Sequence, residues 1–253
     1  MSVTFDDLIK TSSSEQKFLE VFQNTFSQKN QLFLESHRTI LAACYRNPGL
    51  SPSPKKVRGE DSESLARVWI EKYQKSFEGR ISQRTSNPPG TIADPIVNTI
   101  IGTRLTGLTA ENLAQIEYAH RLSMSAENIL GLLLEEFLAE QLINYGWHCC
   151  WGEVIRYVDF CNIDGSLLQI KNRSNSENSS SASVRINQLI EKWHRVDAKT
   201  GLYRWSYFNE KYDTQRFSET NFVAFVQKAV NDNPAALAVE ANNPWQFSSK
   251  SLD

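Results

Sequence analysis

The stretch VDFCNIDGSLLQIKNRSNSENSSSASVR, residues 158–185, contains the pattern that decides the fold. Its first part predicts two short strands joined by a tight turn at Asn162-Ile163-Asp164-Gly165. Because successive side chains of a strand point to opposite faces, Gln169 and Lys171 share one face of the second strand. The Asn- and Ser-rich remainder predicts a polar loop.

Asp159 lies in the first of these strands, so strand pairing is expected to bring its carboxylate close to Gln169 and Lys171. This proximity has a structural explanation, because an exposed cross-strand Asp–Lys ion pair contributes less than about 1 kcal/mol and needs no function. It also has a functional one, since charged groups held together mark many active sites. Both explanations stay open from the strand pattern alone.

The segment before the strands predicts a helix over residues 125–145 that ends at Gly146. Glu135 interrupts a row of this helix that is otherwise small or apolar. The other members of the row are Gly131, Leu138 and Leu142. A carboxylate buried in such a row must be paired or bound to a cation. Glu136 is an alternative, and either carboxylate could also lie at the edge of the apolar stripe with its head in water.

The chain before this helix shows helical periodicity, interrupted by the Pro- and Gly-rich segments 47–64 and 86–95. We therefore expect a mainly helical N-terminal region, residues 1–122, followed by a core, residues 123–253.

Three segments follow the polar loop. VRINQLIEKWHRV, residues 184–196, predicts a helix, and either LYRWSYF, residues 202–208, or AALAVE, residues 235–240, is expected to add a strand. Residues 242–253 are expected to form a loosely held tail.

The 253 residues include 6 Trp, 8 Tyr and 13 Phe, enough apolar area for a folded core. The start MSVTFDDLIK lacks the pattern of a signal peptide, so a cytoplasmic protein without membrane spans is expected. Four Cys fit reduced thiols better than a disulfide framework. Zinc binding by His148, Cys149 and Cys150 is disfavoured, because neighbours on a strand point to opposite faces.

A net charge of −2 argues against a protein that coats nucleic acid by charge alone. Residues 167–205 nevertheless contain seven Lys and Arg against three acids, so this segment carries +4 and the remainder −6. These cations either solvate the surface or face phosphate groups.

The predicted order is a helix with a Glu, a β-meander with Asp and x-Lys, and then a second helix. This order resembles that of the PD-(D/E)XK nucleases. The resemblance implies an α/β (α+β) fold with a mixed central sheet flanked by helices. GLLLEEFLAEQLINYGW is similar to the first core helix of that family, which implies Glu135 as its acid. Asp159 and Lys171 match the family's acid and lysine. Gln169 stands where the family usually has Asp or Glu.

The string from Val158 to Arg185, followed by IEKW, more specifically resembles the type II restriction endonucleases of the SinI and AvaII kind, which cut GGWCC. This implies Mg²⁺-dependent cleavage of double-stranded DNA, 5′-phosphate and 3′-hydroxyl ends, a homodimer and a cognate methyltransferase as a genetic neighbour. The helical N-terminal region, residues 1–122, is then expected to help the chain dimerise or to clamp the duplex. The implied catalytic residues are Glu135, Asp159, Gln169 and Lys171. The implied metal ligands are Asp159, Glu135 and the backbone carbonyl of Ile170.

The resemblance also implies that the loop after Lys171 reads bases, since forked and amide side chains match base edges in the major groove. We expect Arg173 to contact guanine and Glu177 to contact cytosine. The full set of expected DNA-binding residues is Asn172, Arg173, Ser174, Asn175, Glu177, Asn178 and Arg185. In some relatives the second acid of the site lies downstream of the lysine instead of beside it, and Glu177 or Glu191 is an alternative candidate for that acid.

Two other functions are compatible with these residues. A repair or recombination nuclease of the same superfamily shares the helix and Asp/x-Lys pattern, although it needs few base-reading side chains. A non-catalytic DNA-binding module is suggested by Gln169 at an acid position.

Overall fold

A computed structural model describes residues 2–88, 90, 92–174, 190–240 and 242–245. Four residues expected to bind DNA lie outside this range, namely Asn175, Glu177, Asn178 and Arg185. The described helices are α1 (Phe5–Thr11), α2 (Glu15–Gln28), α3 (Glu35–Arg46), α4 (Ser62–Glu78), α5 (Pro95–Arg104), α6 (Ala110–Leu142), α7 (Ser206–Tyr212) and α8 (Glu219–Asp232). The described strands are β1 (Val3–Thr4), β2 (Arg58–Gly59), β3 (Trp147–Cys149), β4 (Phe160–Asn162), β5 (Leu167–Arg173) and β6 (Ile190–Val196).

Four of the described strands form one mixed sheet in the order β3-β4-β5-β6. The β3–β4 and β4–β5 pairs are antiparallel, whereas β5 and β6 are parallel. Short β1 and β2 form a separate antiparallel pair. The predicted mixed α/β fold is therefore confirmed.

The predicted turn between β4 and β5 is confirmed. Gly165 has φ +92°, a left-handed conformation that glycine adopts without a steric penalty. Asn162 Oδ1 accepts a hydrogen bond from the Asp164 N–H at 3.1 Å, and Asp164 Oδ1 accepts one from the Ser166 N–H at 2.8 Å. These side-chain bonds favour the turn, and β5 follows it with its first four residues buried.

The predicted helix over residues 184–196 is wrong for the part that the structure describes, since Ile190–Val196 is strand β6. Apolar residues recur at Ile190, Trp193 and Val196, a spacing compatible with a helix. Parallel pairing with β5 supplies the backbone hydrogen bonds instead, with Leu167 opposite Ile190. A non-local strand partner thus overrides the local periodicity.

Two further predictions need correction. The strand expected at residues 202–208 is instead a single bridge between Tyr203 and Val196, followed by α7. The alternative strand at residues 235–240 is not formed either, since this segment contains the end of a 3-10 turn, Pro234–Ala236. Helix α6 begins at Ala110, well before the predicted start at Ser125, so residues 110–124 are also helical. Gly146 does adopt the left-handed conformation expected after the helix, with φ +78°.

The described chain divides into two compact units at positions other than the expected boundary between residues 122 and 123. The first unit comprises residues 1–80 and 134–223. Helices α1 to α4 belong with the sheet because they share one apolar core. Its buried members include Phe5, Phe18, Phe22, Trp69, Val158, Cys161 and Leu167.

The second unit comprises residues 81–133 and 224–253. Its small apolar cluster is formed by Ile81, Ile129, Leu133, Ala229 and Ala236. The Asn233 side-chain amide donates hydrogen bonds to the backbone carbonyls of Ile81 and Arg84 at 3.1 and 2.9 Å. Across both units, none of the described helices has the length and apolar character needed to cross a membrane.

Candidate active site

The strand pair β4–β5 places Asp159 beside the centre of β5. Phe160 pairs with Leu168 and Cys161 with Leu167, so continuing this antiparallel register by one residue puts Asp159 opposite Gln169. The Asp159 N–H donates a hydrogen bond to the Leu168 carbonyl at 2.9 Å. Opposed residues of an antiparallel pair point to the same face, so Asp159, Gln169 and Lys171 lie on one face of the sheet.

The Asp159 carboxylate is held by the backbone of β5. Its Oδ2 atom accepts a hydrogen bond from the Ile170 N–H at 2.7 Å. Burial raises the pKa of Asp159 to about 6, while this hydrogen bond and the positive charge of Lys171 act to lower the pKa.

Glu135 of α6 interacts electrostatically with the same two side chains. Burial raises the pKa of Glu135 to about 8, and the negative charge of Asp159 adds to the rise. The positive charge of Lys171 opposes it. The structure thus brings together the three residues predicted from separate elements, and two crowded carboxylates share one lysine.

The neighbouring Glu136 has different surroundings. Its side chain is buried, and its Oε2 atom lies 4.0 Å from Arg80 Nε. The Arg80 guanidinium in turn lies over the Phe77 ring, 3.7 Å from the centroid. The other of the two adjacent acids, Glu135, interacts with both Asp159 and Lys171.

Strand β6 pairs in parallel with β5 and places its side chains beside Gln169 and Lys171. Gln169 is buried and pairs with Lys192, while Lys171 is half-buried and pairs with His194. Burial and the charge of Arg204 lower the pKa of His194. Lys171 thus lies close to the two carboxylates, and Lys192 lies beside Gln169 on the neighbouring strand.

The first residues of the expected DNA-binding loop lie at the end of β5. Arg173 and Ser174 are exposed, and Ser174 Oγ accepts a hydrogen bond from the Ala198 N–H at 2.9 Å. Asn172 is half-buried, and its Oδ1 atom accepts a hydrogen bond from Arg195 Nε at 2.9 Å. This bond engages the Asn172 carbonyl oxygen within the protein and leaves its amide N–H groups for other partners.

Arg195 is the residue of this region that the sequence patterns missed. It is buried, forms an ion pair with Glu219, and lies 5.1 Å from the Phe222 ring centroid. Glu219 also accepts a hydrogen bond from Trp205 Nε1 at 3.0 Å. Only the strand assignment of Ile190–Val196 could have indicated that Arg195 points inward.

The donor set of the site fits a hard divalent cation. Glu135 and Asp159 supply carboxylate oxygens, Gln169 an amide oxygen and Ile170 a backbone carbonyl, which are ligands that Mg²⁺ and Ca²⁺ prefer. Burial and the charge of Asp159 raise the pKa of Glu135 to about 8, so a nearby cation would stabilise this pair of carboxylates. No group of three or more His, Cys, Asp or Glu suited to a metal occurs in the described ranges, so the oxygens of Gln169 and Ile170 matter for this fit.

Comparisons with known proteins agree with this chemistry. The model of the SinI restriction endonuclease family matches residues 24–232. The chain is 39% identical to the type II restriction enzyme Eco47I of Escherichia coli over 163 residues, 62% of this chain and 70% of the relative. It is 34% identical to the type II restriction enzyme SinI of Salmonella infantis over 206 residues, 79% of this chain and 86% of the relative. Type II restriction enzymes are site-specific deoxyribonucleases, and they generally need divalent metal ions. The chain belongs to the SinI restriction endonuclease family and cleaves DNA in a sequence-specific manner.

Proposed function

We propose that this enzyme uses Mg²⁺ to cut both strands of GGWCC sites, leaving 5′-phosphate and 3′-hydroxyl ends. The observation that carries the catalytic assignment is that Asp159 and Lys171 share one face of the strand pair and that Glu135 of α6 interacts with both. Phosphodiester hydrolysis needs an in-line water, a positive charge on the scissile phosphate and stabilisation of the leaving 3′ oxygen.

Glu135, Asp159 and the Ile170 carbonyl are the proposed ligands of Mg²⁺, and the amide oxygen of Gln169 is available to the ion or its water. When bound, the ion supplies Lewis-acid activation and charge neutralisation at the phosphate. The Ile170 N–H holds Asp159 in place before substrate arrives, which limits reorganisation during the reaction.

Lys171 has the proposed role of orienting the attacking water and offsetting phosphate charge. Its positive charge acts on both carboxylates, so it lies where the scissile phosphate and the proposed ion would be held. A protonated lysine donates hydrogen bonds to a phosphate oxygen and to water.

We further propose that the segment after Lys171 reads the bases. Arg173 is exposed and is the proposed contact to guanine, Glu177 is the proposed contact to cytosine, and Arg185 is a further cation. The remaining proposed contacts are Asn172, Ser174, Asn175 and Asn178. A near-palindromic target favours a two-fold homodimer in which each subunit cuts one strand. We also propose that the enzyme is cytoplasmic and that a gene for a cognate methyltransferase lies next to its own.

The test is incubation of the purified protein with unmethylated plasmid and Mg²⁺, followed by sequencing of the fragment ends. Discrete fragments that end within GGWCC sites support the proposal and locate the cut. Discrete fragments at another sequence overturn the specificity, and cleavage confined to branched or damaged DNA supports the repair-type alternative.

Lys171→Ala tests the catalytic assignment. We expect it to reduce cleavage by at least about a hundredfold, the usual contribution of such a group, while DNA binding in Ca²⁺ stays within a few-fold of wild type. Lys75→Ala, an exposed lysine of α4, is the matched control and should cut normally. If wild type binds DNA without cutting it in any divalent metal, the non-catalytic module is the better explanation.

A further inference from the structure

Helix α5 and the first part of α6 form a hairpin in which no side chain is buried. From Ile92 to Met124, a stretch that the structure describes throughout, every residue is half-buried or exposed. The connection is ordered by local bonds, since Thr109 and Asn112 exchange hydrogen bonds of 3.1 and 3.2 Å at the start of α6. The hairpin thus has defined local structure without a core of its own.

The two helices contact each other through one side of α5. Asn98 Nδ2 donates a hydrogen bond to Glu117 Oε2 at 3.2 Å. Gly102 lies against Leu113, where an added Cβ would be 3.4 Å from Leu113 Cδ1. At 100° per residue, this side of α5 is opposite to a second face. The second face, called the α5 face below, consists of Ile96, Val97, Ile100, Thr103 and Arg104.

The α5 face is apolar and exposed. Ile96, Val97 and Ile100 expose 59%, 53% and 63% of their surface, and Ile92 just before the helix exposes 96%. Soluble monomers rarely expose contiguous apolar patches larger than a few hundred Å². A 10-residue helix is also marginally stable alone, because helix stability in proteins comes mainly from burial of an apolar face. We therefore expect a binding partner to bury the α5 face.

The charge of the hairpin argues against DNA as the partner that buries this face. Residues 92–124 contain three acids and two Arg, a net charge of −1, whereas duplex binding relies on many cations. A protein surface of similar apolar character is the better match.

We propose that the α5 face packs against the α5 face of a second copy of this chain, related by a two-fold axis near Ile100. Asp94 precedes the helix and Arg104 ends it. An antiparallel α5–α5 pair places each Arg104 near Asp94 of the other copy, and these opposite charges attract. Specific dimers bury on the order of 1,200 Å² or more, so the interface has to include the polar rims of both α5 faces as well as their apolar residues.

This inference gives an interface to the proposed homodimer, and its test uses neither DNA nor metal. Sedimentation equilibrium of the full chain should give twice the 28.8 kDa mass of one chain. Ile100→Glu should raise the dimer dissociation constant at least about tenfold, since it buries a charge against an apolar surface. Leu32→Glu, at a residue of the other unit that is 78% exposed, is the matched control and should remain dimeric. A monomeric wild type, or an Ile100→Glu variant with unchanged dimerisation, overturns the proposal.

Cross-linking gives a second test that does not depend on a disruptive substitution. Ile100→Cys should form an intermolecular disulfide under mild oxidation, because residues near a two-fold axis face their own counterparts. Leu32→Cys should not, and the four natural cysteines are all buried. Failure of Ile100→Cys to cross-link in a dimeric protein overturns the α5 interface, whereas cleavage activity decides the proposed function separately.

Discussion

The Ile170 N–H donates a 2.7 Å hydrogen bond to Asp159 Oδ2, and this bond joins the two strands of the candidate active site. It lies one residue before Lys171, so the backbone that orients the lysine also orients the carboxylate. A charge-assisted bond of this kind is stronger than one between neutral groups. The acid and the lysine therefore form one rigid unit, to which α6 adds Glu135.

Glu135→Gln should stabilise the fold while it abolishes cleavage. The pKa of Glu135 is raised from 4.5 to about 8, so its charged form is disfavoured in the folded state. A raised pKa means that stability is highest below pH 4.5 and falls as the pH rises towards 8. We expect the variant to gain on the order of 2 kcal/mol at pH 8 and little below pH 4.5, by urea unfolding without metal. A variant less stable than wild type at pH 8 would contradict this electrostatic account.

Divalent cations should stabilise the protein in a pH-dependent manner. Binding to the folded state alone raises its stability by mass action, and ionised Glu135 and Asp159 bind a cation better than their protonated forms. Addition of Ca²⁺ should therefore raise the melting temperature more at pH 8 than at pH 5. The double variant Glu135→Gln, Asp159→Asn should lose this increase. An equal increase in both proteins would place the bound cation elsewhere.

His37 should make the fold sensitive to acid. It is 4% exposed, it stacks on Phe26 with ring centroids 4.4 Å apart, and burial lowers its pKa from 6.5 to about 4. The unfolded chain takes up a proton at this residue before the folded chain does, so stability is lost as the pH falls from 6.5 towards 4. We expect this loss to reach on the order of 2 kcal/mol at pH 4.

The measurement for His37 is urea unfolding at several pH values in wild type and His37→Gln. The pH dependence between 6.5 and 4 should be shallower in the variant, even if the variant is less stable at pH 7. His120→Gln changes an exposed histidine and should keep the wild-type slope. The same slope in His37→Gln would assign the acid sensitivity to other groups.

Glu219→Ala should destabilise the end of β6 strongly. Glu219 pairs with buried Arg195 and accepts a hydrogen bond from Trp205 Nε1, so its removal leaves a buried cation without its carboxylate. Breaking such a pair costs about 3 kcal/mol or more. Thermal unfolding is the measurement, with Glu78→Ala at an exposed position of α4 as control.

The double variant Arg195→Met, Glu219→Ala distinguishes the unpaired charge from lost packing. Because it removes the buried cation as well, it should recover part of the stability that Glu219→Ala loses. Equal or greater destabilisation in the double variant would show that the packing of Arg195 against Phe222 dominates.

Much of the candidate site follows from local sequence patterns. The turn residues Asn162 to Gly165 and the two-residue periodicity of β5 predict that Asp159 and Lys171 share a face, because a hairpin is formed by neighbours in the chain. The interrupted apolar row of α6 indicates Glu135 or Glu136 but does not choose between them. The structure adds that Arg80, a residue more than fifty positions earlier, lies beside Glu136.

The sequence by itself determined the β4–β5 hairpin, the helix before it and the acids and lysine that these elements carry, since each depends on contacts between near neighbours. Only the tertiary structure decided that Ile190–Val196 is a strand and that Arg195 holds Asn172. It also placed α1 to α4 in one core with the sheet. These features depend on partners distant in the chain, and the hydrogen bonds and apolar surface that such partners supply outweigh local propensity.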